Sequence, residues 1–68
     1  MEITTRIHTK SADFESLHRL LAEHGGDTVH GIGDEGEYVS VRECGSEIVL
    51  TEFLRNGWKR IMRFPRPQ

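Results

Sequence analysis

The chain has 68 residues, enough for one domain and close to the smallest size that folds without disulfides or a bound metal. Its formal net charge of −2 argues against a general nucleic-acid binder, which must neutralise many phosphates. Residues 1–10 lack the apolar core of a signal peptide, and a single cysteine cannot form an internal disulfide. We therefore expect a soluble, cytoplasmic α+β protein with no membrane segment.

The first two elements are a predicted strand and a predicted helix. Residues 2–9 alternate between apolar and polar side chains, which is typical of a half-buried strand. Ser11 is then a candidate N-cap, and the helix is expected to end at Gly25-Gly26, where glycine can adopt the left-handed conformation. The apolar arc of this helix contains Phe14, Leu17, Leu20 and Leu21.

Two further strands are predicted at 27–33 and 37–43, joined by a glycine-rich hairpin loop. In the second of them Val39 and Val41 are expected to face inward. The loop sequence GIGDEG, residues 31–36, has the glycine spacing of a dinucleotide-binding motif. That motif must lead into a helix, whereas EYVSV follows here, and Asp34 and Glu35 would repel a phosphate. A hairpin is the better interpretation.

The segment 46–58, SEIVLTEFLRNGW, is compatible with a helix or with a strand that enters an Asn-Gly hairpin turn. As a strand, each face would mix apolar side chains with a charge. If the segment is a helix capped by Ser46, its apolar residues form one arc, and Gly57 becomes a C-terminal cap. We therefore predict a helix here, while the β-branched pair Ile48-Val49 keeps the hairpin open as an alternative.

The predicted order is strand, helix, strand, strand, helix, strand, over a single domain spanning residues 1–64 with an irregular tail at 65–68. This order resembles the ferredoxin-like βαββαβ two-layer sandwich, in which both helices cover one face of a four-stranded sheet. The resemblance implies that the last strand lies at an edge, where its charges discourage aggregation. The hairpin alternative for 46–58 gives instead one helix packed on a five-stranded antiparallel meander.

The last strand, 58–64, has two possible orientations. We expect Trp58, Met62 and Phe64 to pack under the helices, because a small core favours the larger apolar set. Lys59 and Arg63 would then lie on the open face of the sheet. In the reverse orientation the open face would gain Trp58 and Phe64 and resemble the stacking platform of an RNA-binding domain.

No residue pattern indicates catalysis, a cofactor or a metal. The four histidines lack metal-ligand spacing, and Cys44 has no base that the sequence assigns to it. We therefore predict a protein that is not an enzyme and carries no cofactor or metal.

Acidic and basic residues are segregated along the chain. Ten acidic residues lie between positions 13 and 52, and five basic residues lie between positions 55 and 66. Our leading prediction is a protein-binding module, acting as an inhibitor, adaptor or regulator of the kind encoded by phages, mobile elements or bacterial regulatory circuits. A homodimer is compatible with the small size. Its predicted acidic contact residues are Glu15, Glu23, Asp34, Glu35 and Glu37. The alternative prediction is binding of RNA or single-stranded DNA on the open sheet face, through Arg6, Tyr38, Arg42, Lys59 and Arg63.

Overall fold

The computed structural model describes residues 5–68. In this range the chain forms a 3₁₀ turn at Thr9–Ser11 and then one helix, α1 (Phe14–Glu23). Four strands follow: β1 (Thr28–Ile32), β2 (Tyr38–Cys44), β3 (Glu47–Phe53) and β4 (Lys59–Pro65). Each strand pairs antiparallel with the next, so the sheet order is β1-β2-β3-β4. The fold is α+β, with one helix packed on a four-stranded antiparallel sheet.

Helix α1 begins later than predicted, because Asp13 rather than Ser11 caps it. The Asp13 carboxylate accepts a hydrogen bond from the Ser16 backbone N–H at 2.8 Å, and the Ser16 hydroxyl reaches back to the Asp13 N–H. The predicted end is confirmed, since the Gly26 N–H donates to the Leu21 carbonyl at 2.7 Å. Leu17 and Leu21 are the buried side chains of α1, as its periodicity predicts.

The helix predicted for 46–56 is wrong, because Ser46 belongs to the Gly45-Ser46 turn, 47–53 form strand β3, and 54–56 begin the next turn. Gly45 has a φ of 64°, which suits the first position of a two-residue hairpin turn. The Asn-Gly signal also marks a hairpin, closed by the Leu54 N–H donating to the Trp58 carbonyl at 2.8 Å. Local periodicity favoured a helix, but β3 is an inner strand that pairs along its whole length with β2 and β4.

The βαββαβ order does not hold for residues 5–68, because they contain a strand where its second helix should be. The predicted first strand, 2–9, lies partly outside the described residues. Within the described part, Arg6 makes one isolated parallel bridge to Ile32. Residues 5–7 thus lie beside Ile32, at the end of β1.

The core lies between α1 and one face of the sheet. Its buried members are Ile7, Leu17, Leu21, Val29, Val39, Val41, Ile48 and Leu50. Met62 and Phe64 of β4 pack against this core, which confirms the predicted orientation of that strand. The prediction fails for Trp58, which is 70% exposed beside the β3–β4 turn.

Among residues 5–68, no helix is both long enough and apolar enough to cross a membrane. The only chain segment in α-helical conformation in this range is α1, of 10 residues.

Candidate binding surface on the open face of the sheet

Helix α1 covers one face of the sheet, and the described part of the chain places no element over the other, which we call the open face. Side chains alternate between the two faces along each strand. The strand register therefore defines rows of neighbouring side chains across the open face. One row runs through Ile32, Tyr38, Phe53 and Lys59, and the bridge of Arg6 to Ile32 extends it past β1.

Two aromatic side chains lie next to each other in this row. The rings of Tyr38 and Phe53 are 5.4 Å apart, and they are 38% and 41% exposed. The His30 ring stacks on Tyr38 at 5.7 Å, and its Nδ1 lies 2.7 Å from the Tyr38 hydroxyl. Because these contacts hold the Tyr38 ring in place, little side-chain entropy remains to be lost when a planar ligand stacks on it.

Cations flank the aromatic pair. A second row contains Thr28, Arg42, Val49 and Arg63, so all five residues predicted for open-sheet binding lie on this face. Arg63 donates to the Glu47 carboxylate at 2.7 Å. Arg42 and Lys59 form no salt bridge within residues 5–68 and are exposed. Their charges are therefore available to an anionic ligand.

A cavity of about 300 Å³ opens at the edge of the aromatic row. Tyr38, Phe53 and Leu54 form its apolar side, while Glu35, Glu37 and Arg55 form its polar side. The sequence assigned Phe53 to a helical core. Phe53 lies on the open face because residues 47–53 form a strand. The Asn-Gly turn was the feature of the sequence that indicated this strand.

The residues predicted for acidic docking do not form one free surface. Glu15 and Glu23 are exposed on α1, and Glu35 is exposed in the β1–β2 turn. The Asp34 carboxylate instead accepts a hydrogen bond from the Lys10 backbone N–H at 2.9 Å, which holds its pKa below the usual range. Glu37 accepts from the Glu35 N–H at 2.9 Å. Asp34 and Glu37 thus stabilise the turns around them.

The structure also reveals a buried carboxyl group at Glu52, on the helix-facing side of β3, which the sequence did not single out. Glu52 is 4% exposed, and Arg60 Nη1 lies 3.5 Å from its Oε1. The nearby Glu37 carboxyl, together with burial, raises the pKa of Glu52 to about 6. The interaction with Glu52 lowers the pKa of Glu37. The titrations of the two groups are therefore linked.

Histidine, cysteine, aspartate and glutamate side chains form no group of three suited to a metal ion anywhere in the described range. Cys44 is exposed at the end of β2. Comparisons of the chain with protein-family models, with curated proteins and with solved structures give no match. The open face, with its aromatic row and flanking cations, is therefore the candidate binding surface.

Proposed function

We propose that the protein is a non-enzymatic binding module that holds single-stranded nucleic acid against the open face of its sheet. The observation that supports this most directly is the row Arg6, Ile32, Tyr38, Phe53 and Lys59, with an exposed aromatic pair in the middle and a cation at each end. Single-stranded nucleic acid binds by stacking bases on aromatic rings while cations contact the backbone. The row offers both kinds of contact.

The net charge of −2 is compatible with this proposal because the charge is unevenly placed. Arg6, Arg42, Lys59 and Arg63 lie on the open face, where the strand register places the single carboxylate of Glu47. Many of the acidic residues lie in α1 and the β1–β2 turn instead. Local potential rather than net charge governs the approach of a ligand to a surface.

Binding is tested by fluorescence anisotropy with a labelled single-stranded oligonucleotide, as RNA and as DNA, at several salt concentrations. Replacement of Tyr38 or Phe53 by alanine removes one stacking ring and should weaken binding by about fivefold to a hundredfold. The matched control is His18→Ala, because His18 stacks on Phe14 at 5.5 Å on the helix side. That variant should bind like wild type.

A second matched pair of variants tests the contribution of the cations to oligonucleotide binding. Arg42→Ala should weaken binding and reduce the slope of log affinity against log salt concentration by roughly one unit. Arg19→Ala removes the same charge from the exposed side of α1 and should leave the slope unchanged. Equal effects of the two arginines, or no binding at near-physiological ionic strength, would contradict the proposal.

Docking onto a protein partner is the second candidate, and the exposed carboxylates of α1 and the β1–β2 turn support it. Glu15, Glu23 and Glu35 are exposed and form no salt bridge within the described chain. Exposed carboxylates of this kind are complementary to a basic partner. The double variant Glu15→Lys/Glu23→Lys should abolish recovery of a stoichiometric partner if this surface binds it, and should leave oligonucleotide binding intact.

A further inference from the structure

The outer edge of β4 is an uncovered edge of the sheet in the described chain. At the opposite edge, residues 5–7 pair with the end of β1, since the Ile7 N–H donates to Ile32 and the Ile32 N–H donates to Thr5, both at 2.8 Å. Strand β4 pairs only with β3 among the described strands. An uncovered edge presents backbone donors and acceptors to any extended chain.

Two backbone contacts at the ends of the β3–β4 ladder define which groups of β4 point outward. The Leu54 N–H donates to the Trp58 carbonyl at 2.8 Å, and the Arg66 N–H donates to the Ser46 carbonyl at 2.9 Å. Bonded and non-bonded pairs alternate along an antiparallel ladder. With the observed register, residues 60, 62 and 64 bond to β3.

The backbone N–H and C=O groups of Lys59, Ile61 and Arg63 therefore point away from β3. All three side chains are exposed, and alternation places them on the open face. Pro65 follows at the next outward position and has no N–H to offer. The uncovered edge of β4 thus offers outward backbone N–H and C=O groups at three positions and ends at Pro65.

We propose that this edge binds an extended acidic peptide segment, which adds to the sheet as a further strand. Lys59 and Arg63 place two cations on the open face beside this edge, of which Arg63 also donates to Glu47 at 2.7 Å, and residues 53–68 contain no carboxylate side chain. In a paired strand, side chains directly opposite each other are about 5 Å apart, close enough for charges to interact. Carboxylates at alternate positions of the peptide would face Lys59 and Arg63. Backbone bonds would supply affinity, and the charges would supply selectivity.

A second copy of this chain is a poorer occupant of the edge. Antiparallel self-pairing centred on Ile61 preserves all three outward positions, but it places Lys59 of each copy opposite Arg63 of the other. Like charges directly opposite each other destabilise a strand pair. Shifting the register by two residues in one direction brings Pro65 into the pair, with the loss of a donor, and in the other direction it brings in Gly57 of the β3–β4 turn. The cations of β4 thus disfavour pairing with a second copy of the chain and favour pairing with an acidic strand.

The probe is a capped peptide that alternates glutamate with valine over about seven residues, the usual length of a strand. Its binding is followed by amide hydrogen exchange of the full chain by NMR. The Lys59, Ile61 and Arg63 amides should gain protection on titration, whereas the Arg60 and Met62 amides are already bonded to β3 and should not change. A lysine–valine peptide is the control and should leave all five amides unchanged.

Two variants at one position separate the backbone contact from the side chain. Ile61→Pro removes an outward N–H and leaves the β3–β4 ladder intact, because proline is tolerated at such edge positions. It should weaken peptide binding by about fivefold or more through the lost hydrogen bonds. Ile61→Ala keeps the N–H and should have a smaller effect. If Ile61→Pro does not fold, Lys59→Glu serves instead and should also weaken binding.

Several results would overturn the proposal: unchanged exchange of the three amides, equal binding of the two peptides, or full binding by Ile61→Pro and Lys59→Glu. Protection of the same amides without peptide, in a sample that sediments as a dimer, would identify a second copy as the occupant. Tyr38→Ala separates this proposal from nucleic-acid binding. It should weaken oligonucleotide binding and leave peptide binding unchanged, because Tyr38 lies on β2, two strands away from the edge.

Discussion

Replacing Glu52 by glutamine should remove a dependence of stability on pH that this buried carboxyl creates. The Glu52 side chain is 6% exposed, and its Oε1 is buried without a hydrogen-bond donor in the described structure. The neighbouring Glu37 carboxyl and burial favour its protonated form, which is why its pKa rises from 4.5 to about 6. Once Glu52 ionises, two carboxylates lie close together, and the Arg60 guanidinium at 3.5 Å only partly offsets them.

The sign and size of the effect follow from linkage. Because the folded protein binds this proton more tightly than the unfolded chain, the stabilisation is fully present below pH 4.5 and is lost as pH rises through about 6. The shift corresponds to about 2 kcal/mol in full, of which about 1 kcal/mol is lost between pH 5 and pH 7.5. The lowered pKa of Glu37 acts in the opposite direction and below pH 4.5.

Urea unfolding followed by far-UV circular dichroism measures this, since Trp58 is 70% exposed and its fluorescence would report little. Glutamine imitates the protonated carboxyl, so Glu52→Gln should gain stability relative to wild type by about 1 kcal/mol from pH 5 to pH 7.5. The control Glu47→Gln, on the opposite face of β3, should not show this gain. If the difference between Glu52→Gln and wild type does not change with pH, the raised pKa of Glu52 is refuted.

Three further predictions concern the core and the turns, each measured by urea unfolding unless stated otherwise. Leu50 is 0% exposed, so Leu50→Ala should cost about 2–5 kcal/mol, and a cost below about 1 kcal/mol would contradict its place in the core. A Cβ at Gly31 would lie 2.6 Å from the Thr5 carbonyl oxygen, so Gly31→Ala should destabilise by about 1–3 kcal/mol by displacing the N-terminal segment, and a neutral result would show that the segment is not held there. Asp34→Ala removes the acceptor of the Lys10 N–H, and hydrogen exchange of that amide should accelerate; unchanged exchange would contradict the contact.

The sequence predicted the parts of the fold that local chemistry determines. The apolar spacing of Leu17 and Leu21 gave helix α1, and Gly25-Gly26 gave its end. The alternation around Val39 and Val41 gave the faces of β2, and the apolar set in 58–64 gave the orientation of β4 for Met62 and Phe64. Each of these signals depends on residues that are close together in the chain.

The error at 46–56 has a physical cause. Glu52 gives the core-facing side of β3 a charge, which counted against a strand. A buried carboxyl need not remain ionised, however. Glu37 belongs to the β1–β2 turn and is distant in sequence, yet it raises the pKa of Glu52. No local pattern could have supplied that partner.

The sequence by itself determined the charge split, the amphipathic helix, the glycine turns and the cations of the last strand, because each is a property of adjacent residues. Only the tertiary structure decided that Phe53 lies beside Tyr38 on the open face, and that Lys59 and Arg63 border a free edge. These neighbours are set by strand register, which depends on pairing across the sheet. A register brings together side chains that the chain order separates, and the candidate binding surface consists of such pairs.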